Sequence, residues 1–101
     1  MSDRVWFVYL LVCRNGHVYT GVTPDLDRRI TAHRNGTGAK FTRGNPPERV
    51  IAIKPFAGKI AAMRAEAQVK RMPRGLKLSL ARTWSIEHPV EELSAKLLPR
   101  D

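Results

Sequence analysis

Only one cysteine, Cys13, stands in the 101 residues, so no intrachain disulfide can form. No apolar run reaches the roughly 20 residues that a membrane-spanning helix needs. The apolar start, VWFVYLLVC at 5–13, is followed by no A-x-A cleavage signal and passes straight into a turn, so it reads as core. Together these absences point to a reducing, cytoplasmic setting and no membrane partner. Acids are scarce as well: nine Asp and Glu in all. Most have local explanations. Asp25 and Asp27 suit a helix dipole, Glu48 follows two prolines, and Glu87, Glu91, Glu92 and Asp101 crowd the C-terminal segment. Two-metal hydrolysis needs several converging carboxylates, and no such cluster can be assembled from these. There is no internal repeat and no low-complexity tract.

Base is what the chain has in excess. Eighteen Lys and Arg leave a formal charge of +9, large for this length. Such a chain favours a polyanionic partner, because neutralising phosphates releases counterions even without sequence readout. With 43% hydrophobic residues it can still fold around one modest core.

The pattern along the chain predicts its elements. Residues 5–13 are apolar on both sides, as in a central strand covered on both faces. RNG at 14–16 signals a hairpin, and HVYTGVT returns as a second strand. A helix follows, with Thr23 as expected N-cap, Pro24 at its first position and Gly36 closing it. Residues 36–48, GTGAKFTRGNPPE, form a basic loop, and RVIAIKPF gives a third strand. An Ala-rich helix runs from Lys59 to about Met72 and ends before Pro73; RGLKLSLARTW gives another. After Trp84, Pro89, Glu91 and Glu92 mark a further helix start, with Val90, Leu93 and Leu97 on one stripe. The expected fold is α+β, an α/β sandwich. It has a small, three-stranded, mainly antiparallel sheet flanked by helices in the order β-β-α-β-α-α, with an added C-terminal helix. Residues 1–84 form the main domain and 85–101 a helical extension packed on it.

Candidate chemistry gathers around the second strand. In the first helix Leu26 and Ile30 mark the core stripe, while Arg29 and His33 are i,i+4 neighbours whose side chains can converge; the plain explanation is a snorkelling arginine and a half-buried histidine. Arg28 points away, as a solvated charge or phosphate contact. Glu66 lies mid-helix among Ala62, Ala65 and Ala67; its plain explanation is an ion pair with Lys70, though one carboxylate also suffices for a Mg²⁺ that keeps much of its water. Tyr9 and Tyr19 are ordinary strand residues unless the hairpin brings them together. A two-residue turn at Asn15-Gly16 pairs Val12 with Tyr19 and sets the tyrosines on opposite faces. A three-residue loop, Arg14-Asn15-Gly16 with Gly16 left-handed, pairs Leu11 with Tyr19 and puts Gly21 opposite Tyr9 on a shared face. The sequence leaves both turns open.

The segment VYLL…VYTGVTPDLDRRITAH resembles the GIY-YIG endonuclease superfamily, with VYL at 8–10 and YTG at 19–21 standing for its two tripeptides. Arg29 and His33 fall at the family's spacing. GTGAKFTRG and AMRAEAQVKRMPRGLKLSL are similar to its small, single-domain bacterial branch, so the likeness covers about residues 5–82. The resemblance implies that Tyr9 and Tyr19 line the site, one of them helping to activate water, and that Arg29 contacts the scissile phosphate. It implies that His33 assists, that Glu66 holds one divalent ion (Mg²⁺ or Mn²⁺), and that Gly21 allows close backbone packing. Cations and metal near a tyrosine are expected to favour its phenolate.

The implied activity is metal-dependent hydrolysis of DNA phosphodiesters, with a role in repair or recombination. The alternatives are a nucleic-acid-binding module that cuts weakly or not at all, and an accessory nuclease domain that needs a protein partner. The expected state is a monomer or weak dimer. Expected DNA contacts are Arg28, Lys40, Phe41 and Arg43, with Lys70, Arg74 and Lys77 as a second patch; Phe41 stacks on a base or tucks into the core.

Overall fold

In a computed structural model of the chain, residues 4–36 and 45–90 are described. Strands β1 (Val5–Cys13), β2 (Val18–Thr23) and β3 (Pro47–Ala57) form one antiparallel sheet in the order β2-β1-β3. Helices α1 (Leu26–Arg34), α2 (Lys59–Lys70) and α3 (Arg74–Glu87) complete the expected β-β-α-β-α-α order of an α+β fold.

The unbroken apolar run of β1 is explained by its place. It is central, and Val8, Tyr9, Leu10, Leu11 and Cys13 are all fully buried. Alternate residues serve two separate cores. Tyr9 and Leu11 join Leu26 and Ile30 of α1, while Val8 and Leu10 join Ala62 and Val69 of α2 and Ala81 and Trp84 of α3. Among the described elements, α1 covers one face of the sheet and α2 with α3 the other. Burial, with the charge of Glu48, pushes the Cys13 thiol up, which suits a small apolar packing residue.

The open question of the turn is settled by register. Leu11 pairs with Tyr19, Val12 with Val18 and Tyr9 with Gly21. Gly16 takes φ +86°, where L side chains are strained, and its amide donates to the Cys13 carbonyl at 2.8 Å. The loop thus has three residues, and Tyr9 and Tyr19 share the face that α1 covers.

Several boundaries differ from expectation. The N-cap of α1 is Asp25, whose carboxylate accepts from the Arg28 amide at 3.2 Å. Thr23 is still in β2; its hydroxyl accepts from the Asp25 amide at 3.0 Å and so orients the cap instead of being it. Gly36 does close the helix, at φ +77° just beyond the Asn35 cap. Strand β3 begins two residues early, and its prolines are tolerated because it is an edge strand. The register shift between Leu10 and Leu11 leaves Ile51 without a strand partner, and Ser85 donates to its carbonyl at 2.9 Å. Finally, α3 continues past Trp84 to Glu87. Most of the expected extension, including Leu93 and Leu97, lies outside the described residues.

Candidate active site

Three elements build the site. The central strand supplies Tyr9, the returning strand supplies Tyr19 and Gly21, and α1 supplies Arg29 and His33. Gly21 has no substitute here. A Cβ at this position would lie 2.8 Å from Tyr9 Cε2 and closer still to its Cζ and hydroxyl. The missing side chain is the space in which the Tyr9 ring lies, so the role expected of Gly21 has a definite steric cause.

Tyr9 and His33 are 0% and 1% exposed, and the Tyr9 hydroxyl lies 2.8 Å from His33 Nε2. Arg29 Nε donates to the same hydroxyl at 3.4 Å. Arg29 can only donate, so the Tyr9 oxygen accepts from it, while the His33 tautomer sets the direction of the Tyr9–His33 bond. The Tyr19 ring completes the group, 6.3 Å from that of Tyr9 and 5.2 Å from that of His33. Tyr19 and Arg29 are partly exposed, so the cluster is closed at the Tyr9–His33 end and open at the Tyr19–Arg29 end.

Burial dominates the protonation states. It pushes Tyr9 up to about 12; the hydrogen bond from Arg29 works the other way and does not win, and the charges of Tyr19 and Glu66 add to the rise. The expected shift toward phenolate is therefore reversed at Tyr9. Burial, helped by the Arg29 charge, pulls His33 down to about 4. Arg29 is held still more firmly cationic, chiefly by its bond to Tyr9. At neutral pH the group is a phenol, a neutral imidazole and a fixed guanidinium.

Glu66 projects from α2 with its side chain 16% exposed, paired with Lys70 at 3.5 Å in the expected i,i+4 relation. Such a pair is worth only about 0.3–0.5 kcal/mol, so it does not commit the carboxylate. Among the described residues no three His, Cys, Asp or Glu gather as a metal-ligand cluster. The donor set fits a single hydrated Mg²⁺ on one carboxylate and does not fit a two-metal centre.

Beside the open end lies a cleft of about 430 Å³. Its wall is residues 17–20, which include Tyr19, and its rim is Lys70, Arg74 and Lys77. The second basic patch expected from the sequence is thus brought together next to the tyrosines. Arg28 is exposed on α1 and is not part of this rim. Lys40, Phe41 and Arg43 lie outside the described residues. Thr20 is the residue that sequence reasoning missed: it lines the cleft, is 3% exposed, and its hydroxyl finds no partner among the described residues. The signal was its place between Tyr19 and Gly21 in an edge strand.

Comparison with known proteins agrees with this geometry. The GIY-YIG catalytic domain model matches residues 5–75. The chain belongs to the GIY-YIG family. Membership implies nuclease activity on DNA. UPF0213 protein XAC3202 of Xanthomonas axonopodis pv. citri is 51% identical, over 75% of this chain and 74% of its own. A UPF0213 protein of Nitratidesulfovibrio vulgaris is 45% identical, over 81% and 74%. The solution NMR structure of the UPF0213 protein BH0048 from Bacillus halodurans is 40% identical with a TM-score of 0.54, covering 94% of this chain and 99% of that one. That of EF2693 from E. faecalis is 35% identical with a TM-score of 0.59, covering 87% and 95%. The matched span contains both Tyr9 and Tyr19.

Proposed function

We propose that this protein is a metal-dependent DNA endonuclease that hydrolyses phosphodiester bonds, acting in repair or recombination in the cytoplasm. The observation that carries the reading is the Tyr9–His33–Arg29 group opening, through Tyr19, onto a cleft rimmed by three cations. Arg29 faces the opening with its guanidinium already oriented by Tyr9, so it is the group for the scissile phosphate. Tyr19, the more exposed tyrosine, is the one to hold the attacking water. Tyr9 and His33 keep Arg29 and Tyr19 in place. Glu66 would hold the divalent ion, Mg²⁺ or Mn²⁺, which when bound supplies Lewis-acid stabilisation of the developing charge. Water oxygen bonds to phosphorus as the P–O bond to the leaving nucleoside breaks; the attacking water gives up a proton to solvent past Tyr19, and the leaving oxygen takes one up from solvent, so one water is added in all.

Supercoiled plasmid incubated with Mg²⁺ or with EDTA tests this. Nicking is expected with Mg²⁺ only, and is expected to fall at least about 100-fold in Glu66→Ala and in Tyr19→Phe. The high pKa of Tyr9 favours a second reading, a DNA-binding module that does not cut. Binding without nicking under any divalent ion would establish it. Nicking that appears only when a co-purifying protein is restored would instead place the chain as a partner-dependent nuclease domain.

A further inference from the structure

We propose that the cleft beside β2 is a second phosphate subsite, in which Arg74 clamps a DNA backbone phosphate flanking the scissile one. The proposal rests on the endonuclease reading of the neighbouring site.

Arg74 is an exposed residue at the first position of α3, yet it is not a loose surface charge. Its Nε donates to the Gly16 carbonyl at 2.9 Å, across 58 residues of sequence. That bond holds the planar guanidinium by one edge. Its terminal nitrogens have no partner among the described residues, and they form the end-on fork that matches two phosphate oxygens. Side-chain entropy that a phosphate-binding arginine ordinarily loses on contact is thus lost already in folding.

The surroundings suit an anion. Lys70 and Lys77 share the rim with Arg74, so three cations face one cleft. The N-cap of α3 is Pro73, and it makes no side-chain cap hydrogen bond, so among the described residues no capping side chain offsets the positive end of the helix dipole. A Cβ on Gly75 would meet nothing within 4 Å, so the approach to that first turn is open. Among the described residues the buried hydroxyl of Thr20 has no partner, an independent sign of a missing ligand, since buried polar groups are nearly always bonded.

Position distinguishes a flanking phosphate from an unrelated anion. Tyr19 lines the cleft and also touches the His33 ring, and Lys70 is paired with Glu66. A strand crossing from Arg29 past Tyr19 therefore meets Arg74 within the same surface.

A methylphosphonate scan of an oligonucleotide that the protein cuts is the direct test. Each phosphate in turn is replaced by its neutral analogue. Two sensitive positions are expected for wild type, the scissile phosphate and one flanking it. In Arg74→Ala the flanking sensitivity disappears while the scissile one remains, and KM rises about tenfold, more than kcat falls. Arg74→Lys keeps the charge but loses the held fork, and is expected to behave nearly as Arg74→Ala; circular dichroism melts verify that both variants are folded. A wild-type scan with one sensitive position, or an Arg74→Lys protein indistinguishable from wild type, overturns the subsite and leaves the endonuclease reading standing. A wild-type protein that neither binds nor cuts DNA overturns both.

Discussion

The Tyr9 hydroxyl lies between Arg29, which can only donate to it, and His33 Nε2, with which it shares a hydrogen bond. The fold keeps this histidine neutral by burying it. The consequence is a pH dependence of stability. A histidine at about 4 when folded and about 6.5 when unfolded binds more protons in the unfolded chain between those values. Its contribution is fully present above pH 6.5 and is lost as pH falls toward 4, on the order of 2–4 kcal/mol in all. Denaturant unfolding at pH 7.5, 5.5 and 4.5 should show this loss, and His33→Gln should flatten it; an equal slope in the variant would remove His33 as its source. Gly21 gives a second prediction at this scale. Gly21→Ala drives a methyl into the Tyr9 ring and should cost about 1–3 kcal/mol, and it should cost less in a Tyr9→Ala background, because the ring is the obstacle.

At the scale of elements, the hairpin is the decisive device. Its three-residue loop fixes Leu11 opposite Tyr19, and a slip of one residue would send Tyr19 to the α2–α3 face. The turn is also held from outside. Arg14 donates its amide to the Pro46 carbonyl at 2.8 Å, the Asn15 and Asn45 side chains bond at 2.7 Å, and Arg74 reaches Gly16. Deleting Asn15 forces a two-residue turn. Nicking should be lost while far-UV circular dichroism retains most of its strand signal. Full activity in the deletion variant would show that the shared tyrosine face is unnecessary.

The chain has a net charge of +9, and among its described residues three cations gather on one rim. If Arg29, Lys70, Arg74 and Lys77 each neutralise one phosphate, log K for DNA should fall with log[salt] with a slope of about −3 to −4. Removing any one of them should reduce the slope by about one. Filter-binding or anisotropy titrations from 50 to 300 mM salt would measure it, in EDTA so that cutting does not intervene. A slope near zero would show that the rim does not meet the backbone.

Much of this was legible along the chain because it depends on local pattern. The continuous apolar run marked β1 as central, Gly16 and Asn15 marked a turn, and i,i+4 spacing joined Arg29 to His33 and Glu66 to Lys70. Those features follow from strand and helix periodicity, which a sequence carries in full. The cap was misplaced by two residues because Thr23 and Asp25 are both good caps, and only the end of β2 decides between them. What the tertiary structure alone determined is everything that depends on distant residues meeting. It chose the turn, placed the Tyr9 ring over Gly21, and brought Lys70, Arg74 and Lys77 beside residues 17–20. It also set the sign of the Tyr9 shift. Nearby cations are countable in a sequence and favour phenolate, but the desolvation that outweighs them exists only once α1 has closed over the sheet.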